Sequence, residues 1–157
     1  METVGKYFQL YCVSSLRYLL FSGVFFVFFY ILYNKKYKNA KIQTNNATKK
    51  DFYREIVQSL QANFIITFFV ILVLFTPLRS HTLIYKNISE HSFFWIPISL
   101  VLSLIIHDTY FYWMHRLLHH KKIFRFAHLT HHQSTNPSPF TSYSFHFLEA
   151  FAIFIVD

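Results

Sequence analysis

The sequence predicts an all-α, polytopic membrane helical bundle with about three complete spans, the start of a fourth, and a cytoplasmic histidine-rich helical region. Three observations carry this reading. The 157 residues are 54% hydrophobic and 22% aromatic with only two glycines, a composition far from that of an average soluble domain. Uncharged apolar runs long enough to enter a bilayer recur along the chain, separated by basic or nearly neutral connectors. Directly after the third run, His115, His119, His128, His131 and His132 fall within 18 residues, at helical i, i+3 and i+4 spacings.

The first span is predicted near residues 10–33. From Tyr7 to Tyr33 the only charge is Arg17, and with its flanks this run reaches across about 30 Å of hydrocarbon. The run is too long for a signal peptide, and no small-residue cleavage site follows it. Asn34 to Gln61 is polar and carries Lys35, Lys36, Lys38, Lys41, Lys49, Lys50 and Arg54 against Asp51 and Glu55, so it reads as a connector. A second span is predicted near 60–78, stopped by Pro77. A third is predicted near 93–114, where Trp95 and Trp113 stand about 27 Å apart along a helix and suit two interfacial positions. A fourth apolar run starts near Phe145 and continues through Val156. Its twelve residues are too few to cross as a helix, so the expectation is a single membrane domain, 1–157, that forms the amino-terminal part of a longer protein.

Charge sets the orientation. The connector after the first span is strongly basic, the loop from Arg79 to His91 is nearly neutral, and the segment after the third span carries Arg116, Lys121, Lys122 and Arg125. By the positive-inside rule the histidines face the cytoplasm. The formal charge of +8 is therefore read as membrane retention rather than nucleic-acid binding. The single cysteine, Cys12, excludes an internal disulfide and a thiolate metal cluster, so metal chemistry must use nitrogen and oxygen ligands.

On a helix through Ile106 to His120, residues Asp108, Tyr112, His115 and His119 fall within about 60° of one another. His131 and His132, three and four residues after His128, share a second face. His119 and His128 are nine residues apart and would point in opposite directions on an unbroken helix, so a turn is predicted at about His120 to Phe124, although no glycine or proline marks it. An imidazole-rich site with a nearby carboxylate suits iron, zinc, copper or nickel, and this many histidines fit two metals better than one. Asp108 is expected behind an imidazole, fixing its tautomer, or as a ligand itself. His120 is either a further ligand or solvated beside Lys121. His81, His91 and His107 are read as hydrogen-bonding residues. Proteolysis is disfavoured because Arg116 stands where a zinc protease helix needs glutamate after His115, and bis-imidazole haem leaves most of the histidines unexplained. A membrane metal-binding or metal-transport protein without oxidative activity is the alternative, although transporters place their ligands near the midplane.

The stretch His107-Asp108-Thr109-Tyr110-Phe111-Tyr112-Trp113-Met114-His115-Arg116-Leu117-Leu118-His119-His120, followed by His128-Leu129-Thr130-His131-His132-Gln133-Ser134 and Asn136-Pro137-Ser138-Pro139-Phe140, closely resembles the sterol desaturase and fatty acid hydroxylase superfamily. Residues 1 to 90 resemble it only in being apolar spans. The resemblance implies a membrane-embedded, non-haem di-iron oxidoreductase of lipid biosynthesis. Such an enzyme uses dioxygen and electrons from a reductase, cytochrome or ferredoxin-type partner to hydroxylate or desaturate a membrane lipid. It implies that His115 and His119 come from the first histidine box and that His128, His131 and His132 come from the second, with no catalytic residues beyond the metal ligands. His146 and Glu149 fall where the family often has His-Pro-x-Glu, with Phe147 in place of the proline, and His146 is carried over as a metal-site residue. The histidine-box region thus runs over 107–146. The family has a further H-x-x-H-H box that does not occur up to Asp157, so the polypeptide as it stands is expected to bind metal asymmetrically and not to turn over. Phe111, Tyr112 and Phe140 are candidates to line a lipid path. Sterol, fatty acyl, ether lipid and carotenoid substrates all stay open, as does the oligomeric state.

Overall fold

A computed structural model of the chain describes residues 2–37, 46–82, 84 and 87–155. Lys38 and Lys41 of the basic connector and Val156 of the fourth apolar run lie outside the described residues. Among the described residues there is no strand, as the sequence predicts. The elements are α1 (Glu2–Phe26), which continues into a π-helical turn at Val27–Leu32, α2 (Asn34–Tyr37), α3 (Lys49–Leu74), α4 (Trp95–Leu118), α5 (Phe124–Ala127), α6 (Leu129–His132) and α7 (Phe147–Phe154). Three helical segments, Thr3–Leu32, Lys49–Leu74 and Trp95–Leu118, are long and apolar enough to cross a membrane, and the protein is an integral membrane protein.

Helix α3 begins well before the apolar run that it contains, so the second half of the polar connector is helical. The cause is local. The Thr48 side chain accepts from the Asp51 N–H at 3.3 Å while the Asp51 carboxylate accepts from the Thr48 N–H at 2.8 Å, a capping box that satisfies two donors of the first turn. Arg54 adds an ion pair to Asp51 at 3.0 Å. The helix ends at Leu74, and Thr76 and Pro77 then open a 3-10 turn over Pro77–His81, since proline suits the first position of a new turn and not the interior of an old one.

Helices α1 and α3 pack along a seam of small residues, with Ser15, Ser22, Ser59, Ala62 and Thr67 all buried. Small side chains let two backbones approach and let polar groups bond across, which in hydrocarbon is the available source of cohesion. Asn63 donates to Ser15 Oγ at 2.7 Å and to Ser14 Oγ at 3.0 Å, and the Tyr7 hydroxyl donates to the Phe64 carbonyl at 2.9 Å. Helix α4 is different. None of its most apolar stretch is buried inside the protein, and exposed Leu100, Leu104 and Ile105 suit contact with lipid. Its last turns are anchored, because Met114 and Leu118 form an apolar cluster with Ala127 and Ile153, and the Tyr110 hydroxyl donates to the Ala152 carbonyl at 2.9 Å. That anchor fixes the end of α4 against α5 and α7.

Replacing Ser15 by leucine removes an acceptor for Asn63 and overfills the seam. Ser15→Leu is expected to lower stability by about 1–3 kcal/mol, read as a drop in the thermal midpoint of the detergent-solubilised protein by circular dichroism.

Candidate metal centre

The histidines occupy a reversal of the chain. His115 lies in the last turn of α4, and His119 caps that helix, its N–H donating to the His115 carbonyl at 3.1 Å. The backbone then turns, with His120 donating to the Leu117 carbonyl at 2.9 Å and Ile123 and Phe124 donating to the His120 carbonyl at 2.8 and 2.9 Å. Helix α5 runs back, His128 serves as its C-cap and as the N-cap of α6, and α6 carries His131 and His132. The turn stands where the opposed directions of His119 and His128 on one helix demand it. It forms without glycine because none of the described residues has a positive φ.

The reversal brings five rings together. Ring centres of His115, His119 and His128 are 4.6–4.8 Å apart, His132 lies 4.9 Å from His119 and 4.7 Å from His128, and His131 lies 5.4 Å from His128 and 5.7 Å from His132. One ring nitrogen from each of His115, His119 and His128 falls within a 4.8 Å group. His119 Nε2 is 3.2 Å from His115 Nε2 and 3.3 Å from His132 Nε2.

Burial and crowding favour the uncharged form of His128, His131 and His132. His128 is fully buried, and burial, followed by the facing His115, His132, His131 and His119, pushes it down to about 3 from the usual 6.5. Burial and then His119 also push His132 down, and burial is the main cause for His131. Neutral imidazoles offer lone pairs. Both ring nitrogens of His128 and Nδ1 of His131 are buried without a hydrogen-bond partner, a costly arrangement unless a cation takes up the electron density. Two nitrogens bound to one ion at about 2.0–2.1 Å stand roughly 3.0–3.4 Å apart, and the His119 contacts fall in that range. The donor set of nitrogen without thiolate fits iron as well as other borderline divalent metals.

The remaining expected site residues stand apart from these five. Asp108 is on the same stripe of α4, but its carboxylate is largely exposed and lies 3.3 Å from Nδ1 of His107, so the imidazole that it meets is not one of the cluster. His120 is exposed, and its Nδ1 accepts from the Lys122 N–H at 3.4 Å. His146 is the N-cap of α7, its Nδ1 accepting from the Leu148 N–H at 3.4 Å. Phe140 is buried between Phe26 and Phe52 and is packing, not a lipid path. Phe111 stacks on His115 and on His107, and the Tyr112 hydroxyl accepts from Arg116 at 3.2 Å.

The carboxylate that does reach the cluster is Glu149. It is buried in the first turn of α7, with Oε1 2.9 Å from Nδ1 of His128, a close approach that is not aligned as a hydrogen bond. The N–H of His146 also holds this carboxylate. Its position two residues past Phe147 was the available signal, but sequence spacing alone does not connect it to His128.

Residues 100–156 match the fatty acid hydroxylase family. Over the stretch that carries the histidines, the chain is similar to the sterol desaturase and fatty acid hydroxylase superfamily. It is 34% identical over 96 residues to a Delta(7)-sterol 5(6)-desaturase of Gibberella zeae, covering 59% of this chain and 30% of that protein. It is 26% identical over 153 residues to human lathosterol oxidase, covering 96% of this chain and 46% of that protein. A third relative, a probable Delta(7)-sterol 5(6)-desaturase of Neurospora crassa, is 25% identical over 156 residues, or 42% of its length. The chain thus spans less than half the length of these superfamily members. No solved structure matches it.

The protonation of His128 gives a pH prediction. Its imidazole titrates at the ordinary 6.5 when unfolded and at about 3 when folded, so between those values the unfolded chain holds more protons. The stability tied to this ring is present above pH 6.5 and is lost as pH falls toward 3. The melting temperature of metal-free protein should decline across that window, and His128→Leu should make the decline shallower.

Proposed function

We infer that this chain contributes to a non-haem di-iron oxidoreductase that oxidises C–H bonds of a sterol in the membrane, with desaturation as the outcome. The observation that carries the reading is the convergence of His115, His119, His128, His131 and His132 from two short helical stretches at the end of a membrane-crossing helix. The names of the relatives, a Delta(7)-sterol 5(6)-desaturase and a lathosterol oxidase, support a sterol over other lipids. His115, His119 and His132 would hold metal through Nε2, the atoms already grouped around His119, and His128 would join through Nε2 and His131 through Nδ1. Bound iron, with dioxygen and electrons, supplies the oxidising power that ordinary side chains lack.

The protein's own residues do the rest. Burial holds His128 neutral so that its lone pair is available, and Glu149 stands 2.9 Å from its Nδ1, where a small reorientation of the ring would let it accept from Nδ1–H and fix the tautomer. The apolar flank of α4 keeps the body of a lipid beside the cluster, as Leu104, Ile105 and Tyr112 are all exposed on that helix. Exposed Arg116, Lys121, Lys122 and Arg125 near the histidines carry positive charge, which suits an acidic electron-donor protein and supports a cytoplasmic orientation of the cluster. A purely metal-binding or transporting protein is the outcome to be distinguished.

In the full-length protein, His119→Ala and His131→Ala are expected to abolish sterol oxidation and iron binding while leaving membrane insertion intact, and His91→Ala to leave activity unchanged. Glu149→Ala should lower metal affinity or turnover by about 10–100-fold. Metal analysis with oxygen uptake under reducing conditions is the check. One bound ion without oxygen uptake, or equal activity in all the histidine variants, would overturn the assignment.

A further inference from the structure

The amino-terminal turns of α3 carry Arg54, Glu55, Gln58 and Ser59, which at i, i+1, i+4 and i+5 make one face of the helix. This face grips the segment that follows the second histidine pair. Arg54 Nη2 donates to the Gln133 carbonyl at 3.3 Å and to Ser134 Oγ at 3.4 Å, and the Gln58 side-chain amide reaches Gln133 Oε1 at 3.5 Å. Ser138 Oγ donates to the Glu55 carboxylate. Ser59 Oγ and the Tyr18 hydroxyl of α1 both donate to the Phe140 carbonyl, at 2.9 and 2.8 Å. Ser144 Oγ donates to Gln58 Oε1 at 2.6 Å. The segment is therefore fastened at residues 133, 134, 138, 140 and 144, between His132 on one side and the His146 cap of α7 on the other.

Glu55 is the unusual member of this face. It is fully buried in the polar first turns of α3, where a carboxylate is costly to bury unless it is hydrogen-bonded. Its second oxygen lacks a hydrogen-bond partner, with Arg54 Nη2 4.0 Å away. Neutral Ser59 shows that a loop can be tied to this helix without a charge. What a carboxylate adds is a stronger, charge-assisted bond at one defined point. That point is Ser138, whose Oγ also accepts from the Phe140 N–H at 3.1 Å and whose N–H donates to Thr141 Oγ1 at 2.9 Å. Holding Ser138 therefore holds the whole 3-10 turn at Pro139–Tyr143.

We propose that Glu55 is a positioning residue of the metal centre: through Ser138, flanked by Arg54, Gln58 and Ser59, it fixes the segment that sets His131 and His132 against His115 and His119. The inference rests on reading the histidine cluster as a metal centre. It concerns a helix that supplies no ligand.

The test uses the full-length protein loaded with Co(II), whose visible bands report the geometry of its ligands. In Glu55→Leu and Ser138→Ala the bands should shift, Co(II) affinity should fall by about 10–100-fold, and kcat of the iron-loaded enzyme should fall with KM for the sterol unchanged. Glu55→Gln, whose amide oxygen still accepts from Ser138, should restore most of the wild-type spectrum. An unshifted spectrum and unchanged kcat in Glu55→Leu and Ser138→Ala would overturn the positioning role while leaving the metal centre standing. Should Glu55→Leu not accumulate, Ser138→Ala decides by the same readouts. Wild-type protein that takes up no Co(II) would overturn the metal centre itself, and the positioning role with it.

Discussion

Imidazole nitrogens held 3.2–3.3 Å from one another are the condition to which the rest of the structure answers. Imidazoles left free would separate, hydrate and titrate independently, each near its ordinary value. Keeping them together requires that His115 and His119 be presented by a rigid helix end and that the chain reverse within a few residues. The returning stretch must then be pressed against them from behind. Met114 and Leu118 supply the first requirement through their packing on Ala127 and Ile153. The hydrogen-bonded turn around His120 supplies the second, and the polar face of α3 together with Glu149 supplies the third.

This division of labour explains why polar groups lie deep in an otherwise apolar protein. In hydrocarbon, apolar contacts between helices give no preference over contacts with lipid, so cohesion must come from close packing and hydrogen bonds. Asn63 with Ser14 and Ser15, between α1 and α3, serves that purpose. Glu55 and Gln58 lie at the end of the same helix pair but bond to Ser138 and Ser144 of the segment beside the histidines, and there the polar groups define position as well as cohesion. Helix α4 makes the opposite choice. Its apolar flank is left to lipid, and only its last turns, where the histidines are, join the protein core.

Much of the site was legible in the sequence because its information is local. The i, i+3 and i+4 spacings of the histidines, and the opposition of His119 and His128 on one helix, are properties of helical geometry that need no tertiary contact. The spans were legible as apolar runs, but the start of α3 was not. Its first turns are charged, and hydropathy cannot show that Thr48 and Asp51 close a capping box that carries the helix back to Lys49. The same stretch hides Glu55, which in a run of lysines and acids looks solvated and is in fact fully buried. Its partner, Ser138, is 83 residues away, and no periodicity connects such positions.

Asp108 and Glu149 show where helix arithmetic stops. Asp108 shares a stripe with His115, but seven residues at 1.5 Å each put it about 10 Å away along the axis, beyond the reach of an i, i+4 contact, and it turns instead to the adjacent His107. A carboxylate that is to touch a buried imidazole must therefore approach across the reversal, from another element at the same level. Helix α7 meets that requirement because His146 caps it and leaves Glu149 in its first turn, pointing at His128. The segment between His132 and His146 has to be held at a fixed length and path for this to occur, and the fastenings to α3 provide that hold. The identity of the carboxylate beside the histidine cluster is thus decided by a loop and a neighbouring helix, neither of which contributes a histidine to it.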